Sequence, residues 1–599
     1  MVPERSEVNP QDTWDLSPLY AQEADWEKGL EELRAQKGQM TKWKGKLHRG
    51  QDLAAALEEE RRIDLLAERL GQYAHLRVAE DGGDGAARDR SLRLEHLTTE
   101  LAEETAWFLP ELMQIADAEW SELIRQPQLA EWQARLDRVR RYRPHILGEG
   151  EERLMALAAR RDFFPADERG FPVRDGEGRG RKRDGVKPRD VRLALATAVG
   201  GGAPAGLAAV LHGVRTTRVL ARGDLGEFGE SLASSVKGDV FRAKARKHAS
   251  ARAQSLFPDR VPEKVYDNLV SAVRKNLQPL QTYHRLRKKV LGLKELRAAD
   301  LQVPLVGAAK RKTKFEEAAE MVTTACRPLG GEYQKILGEG LTKARWVDRY
   351  ENRGKRSGAF SSGSYQKPPY ILMNYREDVL SDVYTLAHEA GHSMHTWMSH
   401  RAQPYQDAHY PILLAEVAST FNEELLTHHL LEGPAREDKM LRAYILNRQI
   451  DDIRGTMYRQ VMFAEFEHRI HEAEEKGVAL TLDFFRICYR ELLEVYLGEA
   501  MEIEAPLELE CLRIPHFYSA FYVYKYAIGI SAAIALSRKV LAGDEGAVER
   551  VHGFLRSGGS RPPLETLRTA GVNMESPEPV DAALALFARR VEELEEVLS

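Results

Sequence analysis

Residues 388–392 read His-Glu-Ala-Gly-His, and no other stretch narrows the fold and chemistry of this chain so far. On a helix, residues four apart share one face and are separated by about 6 Å of rise, so both imidazoles can reach a single cation. The glutamate beside the first histidine can take a proton from an attacking water. Leu380, Val383, Ala387, Gly391 and Met394 form an apolar stripe, which predicts a packed helix. Gly391 permits close approach of a neighbour. A buried helix whose histidines only satisfy hydrogen bonds is the plainer account of any single histidine. For the pentad, metal ligation is the stronger reading.

A catalytic metal needs a third protein ligand and one open position. Metzincin spacing would place glycine at 395 and histidine at 398, but the chain has His395 and Met398. The chosen third ligand is Glu416, in Leu413-Leu-Ala-Glu-Val-Ala-Ser-Thr-Phe-Asn-Glu-Glu424. Pro411 suits the start of a new helix, and an unpaired carboxylate among apolar residues would be costly. Glu423 and Glu424 are expected to pair with surface cations. His395, His400 and His409, beside the first helix or in its following loop, stay as alternatives. Ahead of the pentad, Pro368-Pro369 and then Tyr370–Tyr375 predict a short strand at a sheet edge.

Around this centre the pattern is helical. Residues 20–160 repeat apolar residues at three- and four-residue spacing, broken by Gly82-Gly83-Asp84-Gly85. From Lys237 the helical pattern resumes. Between Pro165 and Leu232 lies a Gly/Ala/Arg-rich window with weak periodicity. It holds the basic cluster Arg179, Arg181, Lys182 and Arg183, read as a solvated loop. We expect an amino-terminal helical region over 1–200 and a catalytic region over 201–599.

Composition removes several function classes. Lys+Arg 87 against Asp+Glu 92 gives a net charge of −5, which argues against wholesale binding to nucleic acid or anionic membrane. Arg285, Arg287, Lys288 and Lys289 read as solvated helix faces. Leu193–Val214 carries no formal charge, but its alanines and glycines make it a poor membrane span. Three scattered cysteines and an amino terminus without an apolar h-region predict a reducing, cytoplasmic setting.

A second cluster, Ile514-Pro-His516-Phe-Tyr518-Ser-Ala-Phe521-Tyr522-Val-Tyr524-Lys-Tyr526, supports two readings. Its hydroxyls and imidazole could donate to a developing oxyanion, or its rings could simply fill a core.

Together with Thr13-Trp-Asp-Leu-Ser-Pro-Leu-Tyr20, Ser357-Gly-Ala-Phe-Ser-Ser-Gly-Ser-Tyr365 and Glu416-Val-Ala-Ser419, these motifs resemble the oligoendopeptidase F branch of the thimet-oligopeptidase family of zinc metallopeptidases. The likeness spans most of the chain. It implies a mainly α, elongated multi-helix body with a deep substrate channel and a small β-sheet next to the metal-binding helix. It implies one Zn2+ per chain held by His388, His392 and Glu416, with Glu389 as general base. His516 and Tyr524 are implied as catalytic contacts to substrate or oxyanion, with Tyr518 and Tyr522 as substrate-binding neighbours. Gly363 and the strand are implied to bind the substrate backbone by strand addition. The expected activity is hydrolysis of internal bonds in short peptides. The rivals are a zinc carboxypeptidase or dipeptidase and a catalytically silent peptide-binding protein. The window at 165–232 departs from the family pattern, through divergence or a local shift of reading frame.

Overall fold

The computed structural model describes residues 2–147, 151, 225–307 and 312–599. The cluster Arg179–Arg183, the run Leu193–Val214 and most of the atypical window lie outside the described residues. The described residues are mainly helical, with one small sheet beside the pentad helix, as expected. None of the described helices is long and apolar enough to cross a membrane.

The amino-terminal part is built on two long helices, Gly50–Glu80 and Gly85–Thr105. The glycine-rich break between them forms the turn, and Asp84 caps the second helix by accepting from the Ala86 N–H at 2.9 Å. Inside the atypical window a helix is already in place ahead of Lys237, where the periodic pattern is expected to resume. It runs Leu225–Ala245 and buries Leu232, Val236, Val240 and Ala243 on one face. That stripe at three- and four-residue spacing overrides the glycines that weaken the pattern in sequence.

The sheet has three strands, β1 (Val347–Asp348), β2 (Phe360–Ser362) and β3 (Tyr370–Leu372), in the order β1-β3-β2. β3 runs parallel to β1 and antiparallel to β2. The strand expected at an edge is therefore central. Pro368 and Pro369 precede it and take no place in its ladder, while Ile371 N–H donates to the Trp346 carbonyl at 2.8 Å. The serine-rich stretch supplies the edge strand instead.

β3 also joins two hydrophobic cores. Tyr370 and Leu372 belong to a core otherwise made of residues between Trp14 and Leu136. Ile371 and Met373 belong to the core that holds the pentad helix. Alternation along one strand sends successive side chains to opposite faces, and both faces here are buried. The Thr13–Tyr20 motif packs on this sheet, with Trp14 6.1 Å from the Tyr370 ring. Beneath it, Arg5 pairs with Glu80 at 3.0 Å, and Lys355 pairs with Asp348 at 2.6 Å.

The basic helix Gln278–Val290 corrects one expectation: Arg287 is buried, donating to the Tyr283 hydroxyl at 3.0 Å and the Asp300 carbonyl at 2.9 Å. It is a structural cation and not part of a solvated face.

Replacing Ile371 with proline tests the central position of β3. The substitution removes a ladder donor and a core side chain, so stability should fall by at least about 3 kcal/mol in urea titration. An edge position would tolerate it far better.

Candidate active site

The pentad helix, Leu380–Ala402, and the helix Ile412–Glu432, with Pro411 at its N-cap, pack with almost no gap. A Cβ on Gly391 would lie 2.6 Å from both the Ala418 carbonyl oxygen and Ser419 Cα. Only glycine fits there, and the contact sets Glu416 against the histidine face. A third helix, Tyr524–Leu541, backs it: a Cβ on Gly529 would stand 3.2 Å from Glu416 Cβ.

The resulting cluster has three ligand-type atoms. His388 Nε2 lies 3.2 Å from His392 Nε2 and 3.5 Å from Glu416 Oε2, and His392 Nε2 lies 3.9 Å from Glu416 Oε2. A tetrahedral ion with bonds of about 2.0–2.1 Å needs ligand atoms roughly 3.3–3.4 Å apart. The three separations bracket that edge length. The donor set, two imidazole nitrogens and one carboxylate oxygen, suits a divalent first-row ion. No other group of three or more ligand-type side chains converges in this way among the described residues.

His388 has a second partner that the sequence reading missed. Its Nδ1 lies 2.8 Å from Glu423 Oε1, whose other oxygen accepts from Arg448 Nη2 at 2.9 Å. Arg448 also pairs with Asp452 and lies over the Tyr384 ring. Glu423 was expected to pair with a surface cation. It pairs with the half-buried Arg448 instead, and it orients a histidine so that Nε2 faces the cluster. Glu424 likewise departs from expectation, accepting from Gln449 Nε2 at 2.8 Å. Burial opposes protonation of His388, but Glu423, Glu389 and Glu416 together hold its pKa up at about 9. Burial and the nearby His388 charge push His392 down to about 3. The two Nε2 atoms thus face each other 3.2 Å apart beside three carboxylates, a setting that favours a cation.

Glu389 is buried on the same helix. Burial, with the negative charges of Glu416 and Glu423, raises its carboxyl to about 7, while His388 and the Ser361 main-chain N–H oppose the rise. Ser361 lies on β2, whose other edge is unpaired among the described residues, and its hydroxyl meets Ser393 at 2.8 Å. Gly363 follows directly. A Cβ there would come within 2.8 Å of Thr396 Cγ2, so glycine lets the strand lie against the helix.

The aromatic segment divides. His516 stacks near Tyr522 with centroids 6.1 Å apart, and Tyr526 meets His516 at 6.0 Å and Tyr522 at 5.4 Å. Tyr526 lines a cavity of about 430 Å³ together with His388, Glu416, Glu423 and Ile530. Tyr524 does not join them. It is fully buried, 5.4 Å from the Tyr266 ring, and its hydroxyl has no hydrogen-bond partner among the described residues. The reason is helical phase. Residues two apart point roughly 200° apart, so a helix that begins at Tyr524 cannot aim 524 and 526 at one site. Tyr526 and Ile530, four apart, share the cavity face. Tyr518 is 39% exposed and bonds Ser231, apart from the trio.

The remaining histidines are not ligands in this arrangement. His395 is buried, stacked 3.6 Å from Tyr410, and kept neutral by burial. Burial lowers His400 to about 4, and His409 lies 3.4 Å from Glu68.

Comparison with known proteins gives a consistent picture. A family model described as peptidase family M3 matches residues 227–586, and one described as oligopeptidase F matches residues 111–161. Oligopeptidase PepF of Bacillus subtilis is 39% identical, the alignment covering 100% of this chain and 89% of that protein. An oligoendopeptidase F homolog of Borreliella burgdorferi is 34% identical, with 99% of each chain covered. The crystal structure of oligoendopeptidase-F from Enterococcus faecium is 30% identical, with a TM-score of 0.68 over 96% of this chain and 99% of that one.

Removing the Glu423 carboxylate tests its hold on His388. Glu423→Ala should weaken divalent-metal affinity by roughly 10–100-fold, read by titrating Co2+ into the apoprotein and following its visible absorption. Unchanged affinity would show that the hydrogen bond does not position the ligand.

Proposed function

The chain belongs to peptidase family M3, in its oligoendopeptidase F branch, and from that premise we propose how its residues cleave a peptide. It is a metallo-oligopeptidase that hydrolyses internal bonds of short peptides. In the proposal the ion is zinc, one per chain, held by His388, His392 and Glu416. The observation that carries this is the convergence of two imidazole nitrogens and one carboxylate oxygen at near-tetrahedral spacing.

When bound, the ion supplies a Lewis acid that polarises the scissile carbonyl and makes water acidic enough to react near neutral pH. The chain does the rest. Glu389 accepts a proton from the attacking water and passes it to the leaving amine, a role suited to a carboxyl held near neutrality by burial. Glu423, fixed by Arg448, keeps the His388 ring in register. The unpaired edge of β2, from Phe360 through Gly363, receives the substrate backbone as an added strand. Tyr526, backed by His516 and Tyr522, donates to the oxyanion of the tetrahedral intermediate. A cytoplasmic setting belongs to this reading, supported by three free, buried cysteines.

The deciding measurement is mass analysis of an internally quenched peptide blocked at both ends. Cleavage that a chelator abolishes and zinc restores is expected. An exopeptidase would leave the peptide whole, and so would a silent peptide-binding protein. Glu389→Gln should keep zinc yet lose nearly all turnover; substantial residual activity would remove it as the base.

The two tyrosines separate the oxyanion reading from core packing. Tyr526→Phe should slow kcat on the order of a hundredfold with zinc content unchanged. Tyr524→Phe, which deletes only an unpartnered buried hydroxyl, should slow it far less. The reverse order would restore Tyr524 to the site.

A further inference from the structure

A separate cavity of about 550 Å³ draws its walls from segments far apart in sequence. They are the end of the helix Gln133–Arg140 with Arg141, the turn Pro258–Arg260, residues 406–411 and the loop 559–563. Two side chains tie it to the catalytic region. Tyr410 lines the cavity, and its hydroxyl lies 2.8 Å from Thr396 Oγ1 and 3.5 Å from the His392 carbonyl. Asp259 also lines it and accepts from Lys525, the neighbour of Tyr526, at 2.8 Å.

The charges on its wall do not balance. Arg138 is neutralised by Asp407 at 2.6 Å, and Asp259 by Lys525. Arg141, Arg260 and Arg561 have no carboxylate within 4.0 Å among the described residues. The remaining lining carboxylates, Asp137 and Glu565, are exposed and pair with none of them. Arg141 is anchored by donating to the Phe257 carbonyl at 2.8 Å and by lying over the Phe257 ring. Its charge is left uncompensated. Burial and the nearby Arg260 charge both disfavour its protonated form, as expected of cations gathered without an anion.

Guanidinium forks match a carboxylate in shape and hydrogen-bond count. The carboxylate that every unmodified linear peptide carries is its C-terminus. We propose that this cavity, through Arg141, Arg260 and Arg561, binds the C-terminal carboxylate of the substrate peptide. The inference rests on the oligopeptidase reading above and deepens it. A substrate anchored by its end has its scissile bond counted from that end, and its length is limited by the span from cavity to metal cluster.

The test compares one peptide made as the free acid and as the C-terminal amide, with wild type and with R260Q/R561Q. Both substituted positions are exposed, and unchanged thermal melting verifies the fold. In wild type, KM for the acid should be on the order of tenfold below that for the amide with similar kcat, and added salt should raise only the former. In the double variant the two KM values should converge, while R260K/R561K, which keeps charge without the fork, should retain part of the difference. Equal KM values in wild type, or full discrimination in R260Q/R561Q, would overturn the proposal. Chelator-sensitive cleavage of the amide would show the oligopeptidase reading standing whatever the ratio. Failure to cleave either form would overturn both.

Discussion

Everything at the His388, His392 and Glu416 group depends on how closely two helix backbones approach at Gly391. With no side chain there, Ala418 and Ser419 press against the pentad helix, and the carboxylate one turn earlier reaches the two imidazoles. A methyl at that position has nowhere to go, because its neighbours are main-chain atoms and cannot swing aside. The convergence of these three side chains is thus a packing result before it is an electrostatic one. Gly529 repeats the device on the opposite flank of Glu416, so the carboxylate is held between two glycine-lined contacts.

Electrostatics then refines what packing assembles. Asp452, Arg448, Glu423 and His388 form a line of alternating charge and hydrogen bonding that ends at the His388 ring. Gathering so many half-buried ionisable groups is tolerable because each has a partner, and loss of one leaves its neighbour's charge unpaired. The tyrosine ring under Arg448 adds an aromatic face to this half-buried cation.

Much of this was legible in the residues. The pentad, Glu416, the role of Gly391 and a mainly helical body follow from spacing and from the ordered motifs. What stayed hidden did so for physical reasons. Glu423 lies seven residues after Glu416, two helical turns on the same face, yet a carboxylate near a helix surface usually pairs with solvent-side cations. Tyr524 is implied by the family resemblance, but it and Tyr526 lie two apart on one helix and so face opposite ways, and only packing shows which of them faces the cavity. The central place of β3 was masked by its prolines, which lie just outside the ladder. Arg287 looked like one of four surface cations, and only tertiary contacts distinguish it from its neighbours.

The shared strand has a practical consequence. Because Tyr370 and Leu372 complete one core while Ile371 and Met373 complete the other, the border between the halves is not a point along the chain. A recombinant fragment beginning after the amino-terminal helices would carry two large side chains stripped of their partners, with Phe360 beside them. Such a piece would be sticky in water, whatever the soundness of its own interior.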